Sequence, residues 1–353
     1  MTRYDLIVLG GGPAGSSTAI AAARQGLAVI LLDRARPPIR KVCGEVISLA
    51  GYELATELTG IDWSGSPRLE RARFMDARRP DESVEWRLAC PSFGISRTRL
   101  DGELLAAAIR AGVRVERGAR VRRWDRTPTG DLCVTMGSDD SIMAPRLVLA
   151  TGRRPAAGPN GWIGWRDAET VPAMASRPEL EVVLGESEHY YGRATIDDGT
   201  VTTTHLARAA EFHHSVPPGC VGTPRFELGL SRIEPEPAVF PVGDAMAAWP
   251  PIVGDGITAA LAAGSRLGTR LAGGTFDEAS WRHDWNRHHG RALASALALH
   301  SILLRPSLRR PLWRLARAFS GLAPFLEARV RLPSASPRGG RDATRDRCIP
   351  AGS

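Results

Sequence analysis

A glycine-rich turn near the start of the sequence constrains the fold more than any other feature. Residues 4–10 form a short apolar run, and the turn Gly10-Gly-Gly12-Pro-Ala-Gly15 leads from it into an alanine-rich stretch over residues 18–25. Gly10 permits a tight turn, Gly12 lets the backbone approach a pyrophosphate, and Gly15 allows a helix to pack closely on a strand. The N–H groups at the start of that helix can bind an anion. The motif therefore predicts a strand, a turn and a helix that hold a dinucleotide through Gly10, Gly12, Pro13, Ala14 and Gly15.

A second apolar run follows and ends in an acid. Residues 27–33 form this run, and Asp33 stands 18 residues after Gly15. A carboxylate at this distance can accept hydrogen bonds from ribose hydroxyls. Asp33 favours a ribose without a phosphate, while Arg34 beside it leaves that choice open. The motif also leaves open whether the dinucleotide is NAD or FAD.

Composition excludes several classes of protein. The 353 residues are 43% apolar and 24% charged, which predicts a globular chain with a core for two lobes and excludes collagen and a largely disordered chain. The five cysteines lack any CxxC spacing, so we expect free thiols, no disulfide framework and no metal site. No window approaches the roughly 20 apolar residues of a membrane span, and the first residues lack the pattern of a cleavable leader. These observations predict a cytoplasmic protein.

Four later segments, together with the glycine turn, occur in an order that resembles one superfamily. They are residues 40–45 (Arg-Lys-Val-Cys-Gly-Glu), residues 96–105 (beginning Ser-Arg-Thr-Arg), residues 146–153 (ending Ala-Thr-Gly-Arg), and residues 240–257, where Gly-Asp precedes a proline-bearing loop and Gly-Asp-Gly-Ile. The chain resembles the FAD-dependent oxidoreductases that include single-component aromatic hydroxylases, geranylgeranyl-reductase-like proteins and flavin halogenases. The resemblance covers about residues 1–270 and implies a glutathione-reductase-type FAD fold.

The resemblance implies FAD as the cofactor and indicates the residues that contact it. Besides the turn and Asp33, the implied contacts are Arg34, Cys43, Gly44, Arg97 or Arg99, Thr151, Gly152, Gly243, Asp244, Gly254, Asp255, Gly256 and Ile257. In physical terms, Asp244 can accept hydrogen bonds from ribityl hydroxyls. The helix that opens at residues 254–257 can direct N–H groups at the electron-rich N1/O2 edge of a reduced flavin. Met246 and Asp255 depart from residues that the family often has at those positions.

The segments between the implied FAD contacts predict a second lobe. Residues 69–76, 83–89, 179–184 and 199–206 alternate as half-buried strands do. We therefore predict an α/β protein in which a Rossmann-like FAD-binding lobe is interleaved with a smaller antiparallel-sheet substrate lobe, followed by C-terminal helices. The predicted ranges are 1–50, 92–158 and 236–275 for the FAD-binding lobe, 51–91 and 159–235 for the substrate lobe, and 276–332 for the helices.

Aromatic residues of the second lobe are candidates for a substrate chamber. Tyr190, Tyr191 and Trp165 can line an apolar chamber above the flavin, although aromatic pairs also occur as ordinary core. The histidines of this lobe, among them His205, receive no role, because no carboxylate stands at metal-ligand spacing. No catalytic residue is predicted, since the flavin itself carries most of the chemistry.

The resemblance leaves the reaction open. The first hypothesis is an FAD-dependent monooxygenase of an apolar or aromatic small molecule in secondary metabolism, working through a flavin C4a-hydroperoxide. Its electrons would come from NAD(P)H or from reduced flavin supplied by a partner. The alternative is a geranylgeranyl-reductase-like reduction of a C=C bond. Halogenation fits less well, because Trp162-Ile-Gly-Trp165 lacks the halogenase spacing and the one lysine, Lys41, precedes Cys43. A flavin-binding protein without turnover is the remaining hypothesis.

Basic residues are concentrated at the C-terminal end. Residues 300–353 contain 11 arginines and 3 acids, whereas the charges of residues 1–299 sum to zero. Two prolines, Pro306 and Pro311, predict short helices with one apolar face beside arginines, formed by Leu308, Leu312, Leu315 and Phe319. Such a face can lie on an anionic membrane surface or pack on the FAD-binding lobe. A peripheral contact at the inner membrane face is therefore an alternative to a purely cytoplasmic location. No nucleic-acid partner is expected, and residues 333–353 are predicted to be disordered.

Overall fold

A five-stranded parallel sheet lies at the centre of the first lobe. The computed structural model describes residues 2–36, 40–156, 161–167, 171–172, 179–185, 188–210, 216–274 and 276–332. In their order across the sheet, the strands are β19 (Val239–Pro241), β11 (Leu147–Leu149), β2 (Leu6–Leu9), β3 (Val29–Asp33) and β7 (Arg114–Arg117). All except β7 are buried along their whole length, as expected for parallel strands covered on both faces.

Helices cover one face of this sheet. They are α1 (Pro13–Arg24), α3 (Arg97–Arg110) and α4 (Gly256–Ala272), with α2 (Leu49–Thr59) packed against α3 and α4. Glycines allow α1 and α4 to touch: a Cβ atom on Gly264 would lie 2.3 Å from the Ala14 carbonyl oxygen, and one on Gly268 would lie 2.3 Å from that of Thr18. These contacts run in the same direction along both helices. The N-termini of α1 and α4 therefore point to the same side of the lobe.

A small sheet covers the opposite face. Its strands, in order, are β1 (Thr2–Arg3), β10 (Ser141–Ala144), β9 (Leu132–Met136) and β8 (Val121–Arg126), and all its pairings except that of β1 with β10 are antiparallel. Strand β2 shows how the layers meet, because Leu6 and Val8 pack with the helices while Ile7 and Leu9 pack with this sheet. The first lobe thus has three layers.

A nine-stranded sheet forms the second lobe. Its order is β17 (Val221–Gly222), β12 (Trp162–Arg166), β16 (Thr200–Arg208), β15 (His189–Thr195), β14 (Leu180–Leu184), β5 (Arg68–Asp76), β6 (Arg79–Gly94) and β4 (Val46–Ser48), with β13 (Val171–Pro172) paired to β16. A separate pair joins β18 (Gly229–Leu230) to β20 (Ala247–Ala248). The four alternating segments are strands β5, β6, β14 and β16. The predicted fold class is confirmed, although β14 and β5 pair in parallel within an otherwise antiparallel sheet.

The two lobes are interleaved along the chain. Strand β4 and the end of β6 pair within the nine-stranded sheet, although the sequence predicts residues 1–50 and 92–158 in the FAD-binding lobe. The chain then returns to the parallel sheet through β7, β11 and β19.

Four helices follow, of which the first contacts β19 of the parallel sheet and the last two pack on β6 of the second lobe. They are α5 (Glu278–Trp285), α6 (Arg291–Leu304), α7 (Pro306–Ala318) and α8 (Leu322–Val330), with a π turn over Asn286–Gly290 between α5 and α6. Pro306 begins α7, but the expectation that Pro311 breaks the helix is wrong. Its fixed φ suits a helix, and only one backbone hydrogen bond is lost. No described helix combines the length and the apolar character needed to cross a membrane.

Buried polar contacts fix α7 and α8 to the rest of the molecule. Arg309 of α7 is fully buried, and its guanidinium donates to Asp76 Oδ2 over 2.5 Å and to the Gly185 carbonyl over 2.8 Å. After α8, the Leu332 amide donates to Asp255 Oδ2 over 2.8 Å. The helical segment is therefore held against the nine-stranded sheet through Arg309 and against the start of α4 through Leu332.

Two buried histidines lie in this segment. His289 lies in the π turn, and neither of its ring nitrogens has a hydrogen-bond partner among the described residues. His300 lies in α6, and its Nε2 also has no partner among them. Burial lowers the pKa of each imidazole to about 4, and neighbouring positive charges add to the effect. Both side chains are therefore neutral at pH 7.

The cysteines differ from one another in their state. Cys43, Cys133 and Cys220 are free thiols, but Cys90 is disulfide-bonded, so the expectation of free thiols is wrong there.

Candidate active site

A cavity of about 730 Å³ lies where the carboxyl ends of the parallel strands meet the nine-stranded sheet. Most of the residues predicted from the sequence line it. These are Gly10, Gly12, Pro13, Ala14, Asp33, Arg34, Cys43, Gly44, Arg97, Thr151, Gly152, Tyr190, Gly243, Asp244, Gly254, Gly256 and Ile257, and Lys41 lies there as well. Gly15, Arg99, Tyr191, Trp165 and Asp255 are not in its wall. The cavity thus brings together segments that lie far apart in the sequence.

The glycine turn forms a cradle that side chains would fill. Gly10 has a φ of +107°, and a Cβ atom there would lie 2.2 Å from the Ala150 carbonyl oxygen. A Cβ atom on Gly15 would lie 1.9 Å from the Gly10 carbonyl oxygen, so Gly15 acts by letting α1 approach the turn. Gly12 is the N-cap of α1, and no side chain caps the helix there. The first N–H groups of α1 can therefore bind a pyrophosphate in the cavity.

Asp33 stands at the end of β3 beside this cradle. Its Oδ1 accepts a hydrogen bond from the Ala35 amide over 3.1 Å, and its Oδ2 would lie 2.8 Å from a Cβ atom on Gly11. The carboxylate therefore sits against the turn that precedes α1. This is the arrangement in which a carboxylate can bind ribose hydroxyls of a dinucleotide.

The opposite wall consists of the loops after β11 and β19 and the start of α4. Gly243 has a φ of +62°, and Asp244 beside it forms an ion pair of 3.3 Å with Arg153. Gly254, with a φ of +67°, leads into α4, whose N-cap residue makes no side-chain capping bond. A carboxylate and a helix N-terminus therefore face the cavity. The residues present fit FAD, with its pyrophosphate at α1 and its ring towards α4.

The Asp255 side chain points away from the cavity, unlike the prediction from the sequence. It is fully buried, its Oδ1 accepts from Ser48 Oγ over 2.7 Å, and its Oδ2 accepts from the Leu332 amide. Burial raises the pKa of this carboxyl, and the hydrogen bonds lower it only in part. Asp255 therefore fixes the end of the helical segment beside the start of α4.

Of the two candidate arginines, only Arg97 lies at the cavity. Its guanidinium forms a bidentate pair with Asp101, at 2.8 and 2.9 Å, and contacts the Cys43 sulfur. Burial lowers the pKa of Arg97, but Asp101 and Cys43 more than offset this effect, so the pKa is raised and the side chain stays charged. Arg99 instead pairs with Asp197 and lies over the Trp63 ring. The sequence left these two arginines as alternatives. Both lie in the first turn of α3, where their side chains point in different directions, and only that of Arg97 reaches the cavity.

Tyr190 lines the cavity, whereas Tyr191 and Trp165 lie on the opposite face of the sheet. Successive side chains of a strand point to opposite faces, so neighbouring tyrosines in β15 cannot both face the cavity. Trp165 stacks on His205 with ring centroids 4.8 Å apart, and the Tyr191 ring lies 5.2 Å from that of His205. Burial lowers the pKa of His205, although Asp167, 3.0 Å away, raises it in part. The predicted aromatic lining is thus reduced to Tyr190.

Glu45 is a cavity residue that the list of predicted contacts missed. It is 1% exposed and has a φ of +56°, which is rare for a side chain other than glycine. Its Oε1 accepts from the Arg97 amide and from Arg166, each over 2.9 Å, while Oε2 has no partner among the described residues. Burial raises the pKa of this carboxyl, and the Arg97 amide and Arg166 only partly offset the effect. Glu45 ends the segment 40–45, whose resemblance to the family could have indicated it as a cavity residue. No sequence pattern indicated its partner Arg166.

A smaller apolar cavity of about 70 Å³ adjoins the first. It lies between the nine-stranded sheet and α6 to α8, and it shares Leu180 and Ile252 with the wall of the larger cavity. The only charged residues in its wall are Glu327 and Arg331, which form an ion pair of 2.9 Å with each other. Its other walls are the side chains Ala72, Phe74, Trp86, Leu88, Val253, Leu299, Leu303, Leu312, Trp313, Ala316, Ala323, Leu326 and Val330.

Known proteins agree with this arrangement. Residues 5–40 match the FAD binding domain family. Menaquinone reductase of Mycolicibacterium smegmatis is 26% identical over 86% of the chain and 86% of its own length. Digeranylgeranylglycerophospholipid reductase 2 of Methanopyrus kandleri is 33% identical over 69% of the chain and 58% of its own length.

Solved structures share the fold. A geranylgeranyl bacteriochlorophyll reductase-like protein of Thermoplasma acidophilum has a TM-score of 0.69 at 16% identity, covering 93% of the chain and 99% of that protein. The halogenase PltM also has a TM-score of 0.69, at 14% identity, covering 92% of the chain and 82% of that protein. The cradle, the three-layered lobe and these similarities lead to one conclusion. The chain contains an FAD binding domain and is similar to FAD-dependent oxidoreductases of the superfamily that contains aromatic hydroxylases and geranylgeranyl-reductase-like flavoproteins.

Proposed function

We propose that the protein is an FAD-dependent reductase that saturates a C=C bond in a substrate with a long apolar, isoprenoid-like chain. The observation that carries this proposal is the apolar continuity between the two cavities at Leu180 and Ile252. A substrate at the flavin can extend its chain past these residues towards α6 to α8. The names of the two sequence relatives, a menaquinone reductase and a digeranylgeranylglycerophospholipid reductase, support the proposal.

The residues of the larger cavity would hold FAD in the orientation that such a reduction needs. The N-terminus of α1 would bind the pyrophosphate, Asp33 the ribose and Asp244 the ribityl chain. The N-terminus of α4 would stabilise negative charge on the reduced ring. Reduced FAD would supply a hydride, which is two electrons with one proton, to one carbon of the double bond, and its electrons would come from NAD(P)H or from a partner's reduced flavin.

Glu45 would supply the proton that completes the saturation. Glu45 lies in the cavity wall, burial raises the pKa of its carboxyl, and Oε2 has no partner among the described residues. The proton would leave Glu45 for the second carbon of the double bond. The carboxylate that remains would be stabilised by Arg166 and by the Arg97 amide, both already bonded to Oε1. Solvent would return the proton after the product leaves.

Oxygenation of an apolar or aromatic compound is the second candidate function. The observation that favours it is Tyr190, whose buried hydroxyl makes no hydrogen bond of ordinary geometry in the cavity wall. Burial raises the pKa of this phenol, so it stays neutral and can donate to or accept from a phenolic substrate. Apolar neighbours such as Val182 and Leu206 would keep water away from the reaction.

The two reactions differ in the mass of the product and in the need for oxygen. We would reconstitute the chain with FAD, reduce it with dithionite, and add a geranylgeranyl lipid, which has no quinone for dithionite to reduce, with and without oxygen. A product heavier by two hydrogens, formed without oxygen, would support the reductase. A product that gains one oxygen atom only when oxygen is present would overturn the reductase in favour of the monooxygenase.

Replacement of Glu45 tests the proton donor. Glu45→Gln should reduce turnover by about 100-fold or more, the range for loss of a general acid, with unchanged flavin absorbance. Wild-type turnover should fall as the pH rises through the raised pKa of Glu45, and the variant should lose this dependence. Tyr190→Phe is the matched control, because it keeps the ring and should retain turnover within a few fold. Equal turnover of Glu45→Gln and the wild type would exclude Glu45 as the donor.

A further inference from the structure

Helix α7 leaves much of its apolar face in solvent. Amphipathic helices of globular proteins normally turn their apolar side chains to the core. In α7 the fully buried side chain is that of Arg309, with Trp313 beside it one turn later, while Leu308 and Leu315 are 43% and 49% exposed. The predicted apolar face is therefore divided, because Leu312 turns inward to the smaller cavity.

The exposed apolar residues continue beyond α7. Phe319 is 63% exposed and Phe325, in α8, is 55% exposed. Only two other large apolar side chains are exposed in the described part of the chain, Ile109 and Leu230. We call the four residues Leu308, Leu315, Phe319 and Phe325 the arm surface. A cluster of this kind on a globular protein marks an interaction site.

The exposed charges of residues 300–332 are all positive. Arg305, Arg314, Arg317 and Arg329 are exposed. The one acid between residues 300 and 332 is Glu327, which is buried and paired with Arg331. Large apolar side chains among arginines form the pattern that binds an anionic lipid surface, where the chains enter the interface and the cations contact the headgroups.

The arm surface cannot turn inward to the core. The buried ion pair between Arg309 and Asp76 fixes α7, and the Asp255 and Leu332 hydrogen bond fixes the segment after α8. A second hydrogen bond, from the Ala89 amide to Glu327, ties α8 to β6. The outward direction of the four apolar side chains is therefore set by buried contacts on the other side of the helices.

We propose that the arm surface docks on an anionic lipid bilayer. A second copy of this chain is a poorer occupant, because a symmetric contact would place the arginines of both copies against one another. The inner sides of α7 and α8, through Leu312, Trp313 and Leu326, line the smaller cavity. If the proposed function holds, an apolar chain passes from the bilayer between these helices towards Leu180 and Ile252.

Vesicle binding by the full chain loaded with FAD tests this proposal. We would measure sedimentation with vesicles of phosphatidylcholine alone and of phosphatidylcholine with phosphatidylglycerol. The protein should bind the anionic vesicles, and Leu315→Ser with Phe319→Ser should weaken this partitioning at least about tenfold. Arg305→Gln with Arg314→Gln should weaken it about 30-fold at low salt, at roughly 1 kcal/mol for each arginine.

The control is Ile109→Ser with Leu230→Ser, which removes equally exposed apolar side chains outside the arm surface and should leave binding unchanged. Unchanged thermal unfolding would show that all variants are folded. Failure of the wild type to bind anionic vesicles, or equal binding by the arm variants, would overturn the proposal. So would a dimer that dissociates on the Phe319 replacement without any binding to vesicles. Reduction of a detergent-dissolved substrate reports separately on the proposed function, since it needs no vesicle.

Discussion

The ion pair between Asp76 and Arg309 should contribute strongly to stability. Both side chains have no exposed surface, Arg309 Nη2 lies 2.5 Å from Asp76 Oδ2, and Arg310 lies 3.8 Å from the same oxygen. Asp76→Asn removes the negative charge but keeps the shape. It leaves the charge of Arg309 buried with one hydrogen bond to the Gly185 carbonyl and no carboxylate.

The expected cost of Asp76→Asn is about 3–5 kcal/mol in the free energy of unfolding, the range for breaking a buried pair on one side. This is a large part of the roughly 5–15 kcal/mol that stabilises a folded domain. The double variant Asp76→Leu with Arg309→Met removes both charges, so it should recover most of the loss.

The effect also depends on pH. Burial raises the pKa of Asp76, but hydrogen bonds from Arg309 and from the Arg78 amide outweigh it, and the pKa is lowered. The stability that comes from this ionised carboxylate is therefore present above the unfolded-state pKa and is lost as the pH falls through the folded-state value.

Urea unfolding at pH 7, followed by tryptophan fluorescence, measures these differences. The matched control is Asp139→Asn, which breaks the exposed pair with Arg122 and should change the free energy by less than about 1 kcal/mol. A cost for Asp76→Asn no larger than that of the control would refute the reasoning. A double variant as unstable as Asp76→Asn would show that shape rather than charge holds α7 in place.

Two further predictions concern the cradle and the buried histidines. Gly15→Ala should weaken FAD binding at least about tenfold, because its Cβ would lie 1.9 Å from the Gly10 carbonyl oxygen and even roughly 1.4 kcal/mol of displacement gives that factor. The ratio of flavin to protein absorbance measures this loss, and Gly102→Ala, where nothing lies within 4 Å, should bind as the wild type does. His289 and His300 have folded pKa values of about 4. Since the unfolded chain binds protons first on acidification, the free energy of unfolding should fall by about 2 kcal/mol for each histidine from pH 7 to pH 5. His300→Phe should remove about half of this fall, and an unchanged fall would contradict the assignment.

Local patterns predicted the parts of the site that depend on neighbouring residues. The glycine turn and Asp33 belong to one strand, turn and helix unit, so their arrangement follows from spacing alone. The same holds for Gly243 and for Gly254, which occupy positive φ values next to strand and helix ends. These positions lie at the cavity as expected. Their role in binding FAD stays a prediction.

The residues whose orientation differs from the sequence prediction depend on contacts with residues that are distant in sequence. Asp255 points to Ser48 and to the Leu332 amide, and neither partner is near it in sequence. The choice between Tyr190 and Tyr191 depends on the register of β15, since shifting a strand by one residue exchanges its faces. The outward direction of Leu315 depends on the burial of Arg309, which needs Asp76 from a strand in another part of the chain. No local pattern contains this information.

The parallel pairing of β14 with β5 delays the completion of the fold. Strands β5 and β6 are synthesised early, but the free edge of β5 is covered only when Leu180–Leu184 arrives. The contacts at the start of α4 are completed later still, because the amide that donates to Asp255 belongs to Leu332. Contacts of such sequence separation slow folding and leave an open strand edge on the nascent chain. We therefore expect the flavin site to assemble last and the growing chain to depend on chaperones to avoid aggregation at β5.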